Sequence, residues 1–297
     1  MALSIHPTAI IEPGAEIGPD ATIGPYAFVG GKVRMGARCR LHPHAAVTGR
    51  TTLGSGNTVH PGAVLGGDPQ DLKFSGEETE LIVGDGNTFR EGVTVNIGTA
   101  SGGERTVIGN HCLLMACAHV AHDCRLGDRV VLANGVLLAG HIVVEDGAIL
   151  SGLAAVHHFA TIGRLSFVGG MSAVRQDVPP FLLMEGNPAR PRRLNLVGLK
   201  RNGFSAETMA ALKKVFRLVY RSNLTRSQAL KEVAALDIYP LPEVQEIMKS
   251  FRASEAGRQG RALEANRTSK NGGMYAPSSN SRAPVEGADE MEDEEAR

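Results

Sequence analysis

The sequence predicts an all-β repeat, a parallel β-helix of triangular coils, followed by a small α-helical domain. Three observations predict it. First, an apolar residue stands on every sixth position from Ile108 through Leu114, Val120, Leu126, Leu132, Leu138, Val144, Leu150, Val156, Ile162 and Val168 to Val174. A helix repeats near 3.6 residues and a strand about every 2, so neither alone produces this period. Second, turn residues fill the gaps, as in Ile108-Gly109-Asn110-His111 and Leu126-Gly127-Asp128-Arg129. Third, aromatic residues are only 4% of the chain and tryptophan is absent, which suits a narrow core of Ile, Leu, Val and Ala. Each unit is one short strand and one corner. Three units close a coil of about 18 residues, and stacked coils bury one continuous core.

The elements follow in order. Residues 1–65 are uninterrupted repeat, carried by Ile5, Ile11, Ile17, Ile23, Val29, Met35, Leu41, Val47, Leu53, Val59 and Leu65. Small residues often sit four positions later, at Ala9, Ala15, Ala21, Ala27, Ala45 and Ala63, where a tight corner excludes bulk. Gly and Asn are frequent between strands, where the backbone calls for positive φ. A polar, irregular stretch at 66–81 reads as a loop leaving one corner. The register resumes at Val83, Phe89 and Val95, and a second loop follows at 98–106, with glycine at 98, 102 and 103. Loops held on a rigid scaffold are common carriers of binding residues.

After Val174, Pro179 and Pro180 are expected to stop strand pairing, and Gly186-Asn187-Pro188-Ala189 to turn. Ser205 reads as a helix cap before the stripe Leu212, Val215, Phe216, Val219 and Tyr220. Further helices are expected near Thr225 and near Pro242. The predicted division is 1–178 for the β-helix, 179–253 for a helical cap, and 254–297 for a disordered tail. That tail holds seven acidic residues between Glu286 and Glu295 and too little apolar surface to offset its ordering entropy. Its acidity either balances basic residues elsewhere or aids solubility.

Formal net charge is zero, which removes the overall basic signal of a nucleic-acid binder. No apolar run is long enough for a membrane span. The repeat begins by Ile5 with no leader pattern, so a cytoplasmic chain is expected. The four cysteines, Cys39, Cys112, Cys117 and Cys124, fit a reduced compartment better than a disulfide framework. Cys117, His119, His122 and Cys124 crowd together, but strand alternation turns neighbours to opposite faces and keeps the four from one ion.

A packed prism has no deep internal pocket, so its chemistry belongs on the outside, in clefts between subunits covered by loops. Histidines are the best markers. Val120 is a core position, so His119 and Ala121 point outward, and His122 stands at the following corner. One coil further on, His122 lies beside Gly140, with His141 next to it, and Ala121 lies beside Ala139 and then His157. A neutral histidine takes a proton from an attacking hydroxyl or amine, and a backbone N–H near Gly140 steadies an oxyanion. Asp123 is adjacent in sequence but is expected to point away. No Gly-x-Ser-x-Gly elbow or P-loop is present, which favours direct acyl transfer.

At these residues the sequence resembles the acyl-[acyl-carrier-protein]–UDP-N-acetylglucosamine O-acyltransferase family of lipid A biosynthesis. The matching stretches, spread over about residues 3–253, are Gln70-Asp71-Leu72-Lys73, Ala118 to Cys124, Leu138 to His141, Ala155 to Phe159, Asp177 to Pro180 and Gly198 to Phe204. The resemblance implies a left-handed parallel β-helix of hexapeptide repeats and a cytoplasmic homotrimer with sites between subunits. It implies an (R)-3-hydroxyacyl donor on acyl carrier protein, a UDP-sugar acceptor, and no cofactor beyond the carrier's phosphopantetheine. Under it, His122 is the general base and Gly140 the oxyanion donor. Asp71, Lys73, Asn96, His119, His141, His157, Asn195 and Arg201 face the acceptor, and Gly170 is the acyl-chain ruler. A glycine there implies a chain of roughly 14 carbons at about 0.8 kcal/mol per buried methylene.

The chain also departs from the family pattern. Asn96 stands where many members have histidine, which opens two acceptors, the usual 3-hydroxyl sugar and its 3-amino analogue. His158 stands where glutamine is common, near the pantetheine arm. Val197 and Asn202 replace a Glu and an Arg. The basic segment Arg190, Arg192, Arg193, Lys200, Arg201, Lys213, Lys214 and Arg217 is the expected contact for an acidic carrier protein. The alternatives are an acetyl-coenzyme A-dependent sugar acyltransferase, a zinc hydrase using His119, His122 and His141, and a non-enzymatic scaffold.

Overall fold

The computed structural model describes residues 2–256; of the tail expected over 254–297, Ser254 and Glu255 belong instead to the last helix, and residues 257–297 lie outside the described ones. Within the described residues the chain winds into a left-handed parallel β-helix of three sheets. From Thr22–Ile23 to Ala173–Val174 each strand pairs with the third strand before it: Thr22–Ile23 lies on Ser4–Ile5, and Arg40–Leu41 on Thr22–Ile23. Most strands are two residues long. The first residue faces out and the second faces in, so Ile23, Val29, Leu41, Val47, Leu114, Val120, Leu132 and Leu138 are all buried. That alternation is why the six-residue period appears in the sequence. The small corner residues Ala21, Ala27, Ala45 and Ala63 are completely buried. The first coil departs from the rule: Ile5 is 42% exposed, because no described coil packs beneath it.

One corner column replaces small apolar residues with asparagine. Asn57 and Asn87 are fully buried, and each gains partners on the next coil. Asn57 donates to Gly54 O and Gly84 O, and its Oδ1 accepts from Asn87 N and Nδ2. Asn87 Oδ1 in turn accepts from Cys112 N at 2.7 Å. A buried amide without those bonds would cost about 1–3 kcal/mol.

The corners were expected to be glycine and asparagine. The structure puts bulky residues there as well: Leu153, Phe159, Leu165 and Met171 all have positive φ. The strain, roughly 1–2 kcal/mol per residue, is offset by hydrogen bonds to the neighbouring coil, such as Leu153 N to Asn134 O at 2.9 Å.

The two loops leave where the register breaks. The first runs between strands Val64–Gly67 and Glu80–Val83, the second between Thr94–Asn96 and Arg105–Ile108. Strand pairing does not stop at Pro179 and Pro180. Val178 bridges to Ile162, the prolines occupy a corner, and Leu182–Glu185 resumes parallel pairing on Phe167–Val168. The chain turns through residues 186–189 and returns antiparallel as Arg190–Leu194. Sheet structure therefore runs past residue 178.

Among the described residues four helices follow: α1 (Leu196–Arg201), α2 (Ala206–Tyr220), α3 (Arg226–Ala234) and α4 (Pro242–Glu255). Ser205 caps α2 by accepting from Thr208 N, and Thr225 with Gln228 forms a full capping box on α3. Leu212, Val215 and Phe216 of α2 bury against Val244, Ile247, Met248 and Phe251 of α4. Arg164 on the prism grips Glu246 of α4 with two bonds, at 2.8 and 2.7 Å, and Ser254 donates to Asp177 at 2.7 Å.

Candidate active site

The strand His119–Val120 sends Val120 into the core and leaves His119 on the outer face, where its Nδ1 lies 2.8 Å from Thr94 Oγ1 one coil away. Burial, with a smaller electrostatic contribution from His122, pushes the His119 pKa down and favours the neutral ring. The chain then turns. His122 stands at the corner, and Asp123 takes a left-handed φ of 62°.

That corner overturns the expectation for Asp123. Simple alternation would turn it away from His122, but a left-handed residue reverses the chain and swings its side chain back. His122 Nδ1 lies 2.8 Å from Asp123 Oδ2. Asp123 is 5% exposed, yet its carboxylate is fully engaged. Oδ1 accepts from Thr99 N at 3.0 Å and Oδ2 from Thr99 Oγ1 at 2.6 Å, while His141 Nδ1 is 3.6 Å from Oδ2. Burial alone would raise the Asp123 pKa, but the bonds from His122 and Thr99 outweigh it and hold the group below the usual aspartate value. An anionic Asp123 accepts from His122 Nδ1–H, which leaves Nε2 as the lone-pair nitrogen.

The second loop makes this arrangement. Thr99 lies at its start, and Asp123 N donates to Thr106 Oγ1 at its end, at 2.8 Å. A Cβ on Gly102 would fall 2.0 Å from the Asp123 carboxylate, so only glycine lets the loop close over it. Thr99, Thr106 and Gly102 were not singled out from the sequence. The available signal was three glycines in one short loop, which reads equally as closely packed or mobile.

One coil on, a Cβ on Gly140 would fall 2.6 Å from His122 Cε1. The missing side chain is the space the imidazole occupies. The Gly140 N–H donates to no group among the described residues. His141 N donates to His122 O at 3.0 Å, and the two rings meet edge to face at 5.0 Å. His141 stacks on Phe159 at 4.5 Å, and His157 lies 4.0 Å from His158. His119, His122, His141, His157 and His158 thus share one side of successive coils.

Asn96 is buried at the edge of this cluster. Its Nδ2 donates to Asp68 O at 2.8 Å, pinning the start of the first loop, while its Oδ1 is buried without a partner among the described residues. In that loop Lys73 N donates to Asp71 Oδ1 at 3.0 Å, a turn that leaves the Lys73 amine exposed. Gly170 is exposed, and a Cβ there would meet only Gly152 O at 3.4 Å and Ser151 Cβ at 3.9 Å.

Asn195 and Arg201 are not brought to the cluster within one chain. Asn195 caps α1, accepting from Gly198 N and donating to Leu165 O at 2.9 Å, and Arg201 ends that helix. The hydrase alternative is not assembled as expected either. Ligand atoms of His122, Asp123 and His141, not His119, lie within 4.8 Å of one another, and the Asp123 oxygens already serve Thr99 and His122. Cys124 is buried with its thiol pushed up to about 12, which keeps it out of any thiolate site.

A parallel β-helix carrying a carboxylate-backed histidine against a glycine corner defines a hexapeptide-repeat acyltransferase. Comparison with known proteins is more specific. Residues 105–140 match the bacterial transferase hexapeptide model, and residues 177–260 match the second domain of UDP-N-acetylglucosamine O-acyltransferase. An acyl-[acyl-carrier-protein]–UDP-N-acetylglucosamine O-acyltransferase from Synechocystis is 47% identical over 198 residues, 67% of this chain and 71% of that relative. The crystal structure of a UDP-N-acetylglucosamine acyltransferase from Bacteroides fragilis superposes with a TM-score of 0.82 at 37% identity, over 86% of this chain and 98% of that one. Its counterpart from Acinetobacter baumannii gives 0.82 at 39% identity with the same coverage. The chain belongs to the acyl-[acyl-carrier-protein]–UDP-N-acetylglucosamine O-acyltransferase family and is an enzyme of that class. Neither the acetyl-coenzyme A nor the hydrase alternative gains support from these relatives.

Proposed function

We propose that this enzyme moves an (R)-3-hydroxyacyl group from the phosphopantetheine thioester of acyl carrier protein to position 3 of a UDP-N-acetylglucosamine-type acceptor, the first step of lipid A biosynthesis. The observation that carries the mechanism is the 2.8 Å contact between His122 Nδ1 and Asp123. With Nδ1–H held by the carboxylate, His122 Nε2 takes the proton from the 3-substituent as it attacks the thioester carbonyl. The oxyanion forms beside the Gly140 N–H. Collapse breaks the C–S bond, and the imidazolium returns its proton to the leaving thiolate. Asp123 remains ionised throughout and orients the ring.

The remaining assignments are part of the same reading. Asp71, Lys73, His119, His141 and His157 contact the acceptor, and His158 contacts the pantetheine arm. Gly170 leaves the acyl groove open for a chain of roughly 14 carbons, each buried methylene adding about 0.8 kcal/mol. Asn195 and Arg201, remote within one chain, reach the nucleotide across the boundary of a homotrimer. The protein acts in the cytoplasm; no helix among the described residues is long and apolar enough to cross a membrane. The exposed arginines of Arg190–Leu194 and α2 receive the acidic carrier protein.

The 3-amino acceptor is a second reading, raised by Asn96 standing where many family members carry histidine. Its buried Oδ1 is an acceptor with no partner among the described residues, and either an amine N–H or a hydroxyl O–H supplies the complementary donor, so the acceptor assay decides between them. The test supplies (R)-3-hydroxymyristoyl carrier protein with UDP-N-acetylglucosamine or its 3-amino-3-deoxy analogue and identifies products by mass. Ester formation supports the O-acyl reading; preference for the amide supports the role of Asn96. Failure of both acceptors with this donor, or full activity in a His122→Ala variant, would overturn the proposal.

A further inference from the structure

One end of the folded chain carries basic charge that its own carboxylates neutralise only in part. The strand Arg190–Leu194 packs beside α2, and Arg221 Nη2 donates across the seam to Arg192 O at 3.1 Å. Arg190, Arg192 and Arg193 on the strand are exposed, as are Lys213, Arg217 and Arg221 on and just beyond α2. Arg192 meets Glu185 at 3.5 Å, with both side chains about half exposed. Among the described residues no ion pair holds Arg190, Arg193, Arg217 or Arg221. Grouped like charges repel one another, and an anionic partner relieves that repulsion.

The chain's own sequence contains such a partner. From Glu286 to Glu295 there are seven acidic residues and no basic one. The described residues also end beside this face. Ser254 and Glu255 at the end of α4 share with Arg175, Arg190 and Arg226, and with Glu145 and Asp177, the lining of a cleft of about 700 Å³. Arg226 lies over the Phe251 ring of α4 at 5.5 Å. Roughly 30 residues separate that exit from the acidic run, and a chain of that length spans at most about 100 Å. The whole arginine face is within reach.

We infer that the acidic run Glu286–Glu295 docks on the arginine face of Arg190–Leu194 and α2 of its own protein. Single exposed ion pairs are weak. A tethered run of them is helped by an effective concentration that reaches the millimolar range, about 1 mM, for short linkers. Because the same face is the one proposed for carrier protein, the run competes with the carrier; that consequence rests on the functional reading above, whereas the docking does not.

The test is zero-length carbodiimide coupling of the full chain at low ionic strength, with the linked peptides mapped by mass. Amide links are expected from the run to Lys213, Lys214 or Lys200, and they disappear at about 1 M salt, where the Debye length is near 3 Å. They also disappear in a full-length Arg192→Glu, Arg193→Glu, Arg217→Glu variant whose circular dichroism is unchanged. A second variant neutralises the run itself (Glu290→Gln, Glu292→Gln, Asp293→Asn, Glu294→Gln, Glu295→Gln) without touching the folded residues; it lacks most of the coupling carboxylates and so is read only by its KM for carrier protein. No links, or links spread equally over Lys32, Lys73 and Lys249, would overturn the inference. Links that form while the neutralised variant keeps the same KM for carrier protein would uphold the docking and count against the carrier-protein face instead.

Discussion

His122 and Asp123, neighbours in sequence, face each other across a left-handed corner with 2.8 Å between Nδ1 and Oδ2. Thr99 grips the same carboxylate through its N–H and its hydroxyl, so a loop from the preceding coil sets the orientation of the base. The scaffold provides the row of histidines; under the proposed mechanism the loop selects His122 among them for proton transfer.

Asp123→Asn removes the charge and keeps the shape. The expected result is a kcat lower by about 10²- to 10⁴-fold with KM for the acceptor little changed, because the tautomer is no longer enforced. Steady-state kinetics on the folded variant decide it. The pH dependence has a definite sign. The native Asp123 pKa lies below the unfolded value, so its stabilising contribution is complete above the unfolded pKa and is lost as pH falls through the folded one. Amide exchange at Thr99 should therefore stay slow through about pH 5, above the ordinary aspartate value near 3.9. It should quicken only in stronger acid. Rapid exchange at neutral pH would show that the carboxylate does not hold the loop.

Much of this was legible in the sequence because the fold is periodic. Six-residue spacing places Val120 in the core, and coil addition then puts His122 beside Gly140 without any coordinates. Asp123 was misread because strand alternation was carried through a corner, where a left-handed φ reverses the side chain. The strand Leu182–Glu185 was missed because the two prolines before it lie in a corner and cost the sheet no hydrogen bond. Asn195 and Arg201 came from family resemblance, and within one chain nothing draws them to the histidines.

Gly140→Ala puts a methyl group where the structure allows none, 2.6 Å from His122 Cε1 and 2.8 Å from Nε2. Gly140 has no positive φ to protect, so the fold is expected to survive while the ring shifts. A fall in kcat of about 10²-fold is the expected outcome, from misplacement by an ångström or so. Unchanged turnover would mean that the imidazole moves aside at no cost.

Gly170→Met tests the groove. A Cβ at this position meets nothing closer than Gly152 O at 3.4 Å, so the backbone accepts a side chain and the added bulk extends into open space. The preferred donor should shorten by several methylenes, each one excluded from the groove lowering kcat/KM by up to about fourfold at 0.8 kcal/mol. The readout is competition between donors of different length. An unaltered preference would remove Gly170 from the acyl path.

Arg164→Lys tests how the helical domain is fastened. Arg164 presents two nitrogens to Glu246 at 2.8 and 2.7 Å and lies over the rings of Phe181 at 4.9 Å and Phe204 at 5.8 Å. The Glu246 bonds raise its pKa, so the charge is secure. Lysine keeps that charge but cannot form the fork or stack its plane on an aromatic face. Both partners are about one-third exposed, at 33% and 30%, so solvent screens part of the interaction. The expected loss is about 1 kcal/mol, which lowers Tm by about 2–4 °C in a domain of this size. Because Glu246 is on α4, amides of that helix should exchange faster while those at Leu114, Leu132 and Leu150 in the prism core stay protected. Uniformly faster exchange across both regions would mean instead that prism and helices unfold as one unit, with the ion pair contributing to the whole rather than to the seam.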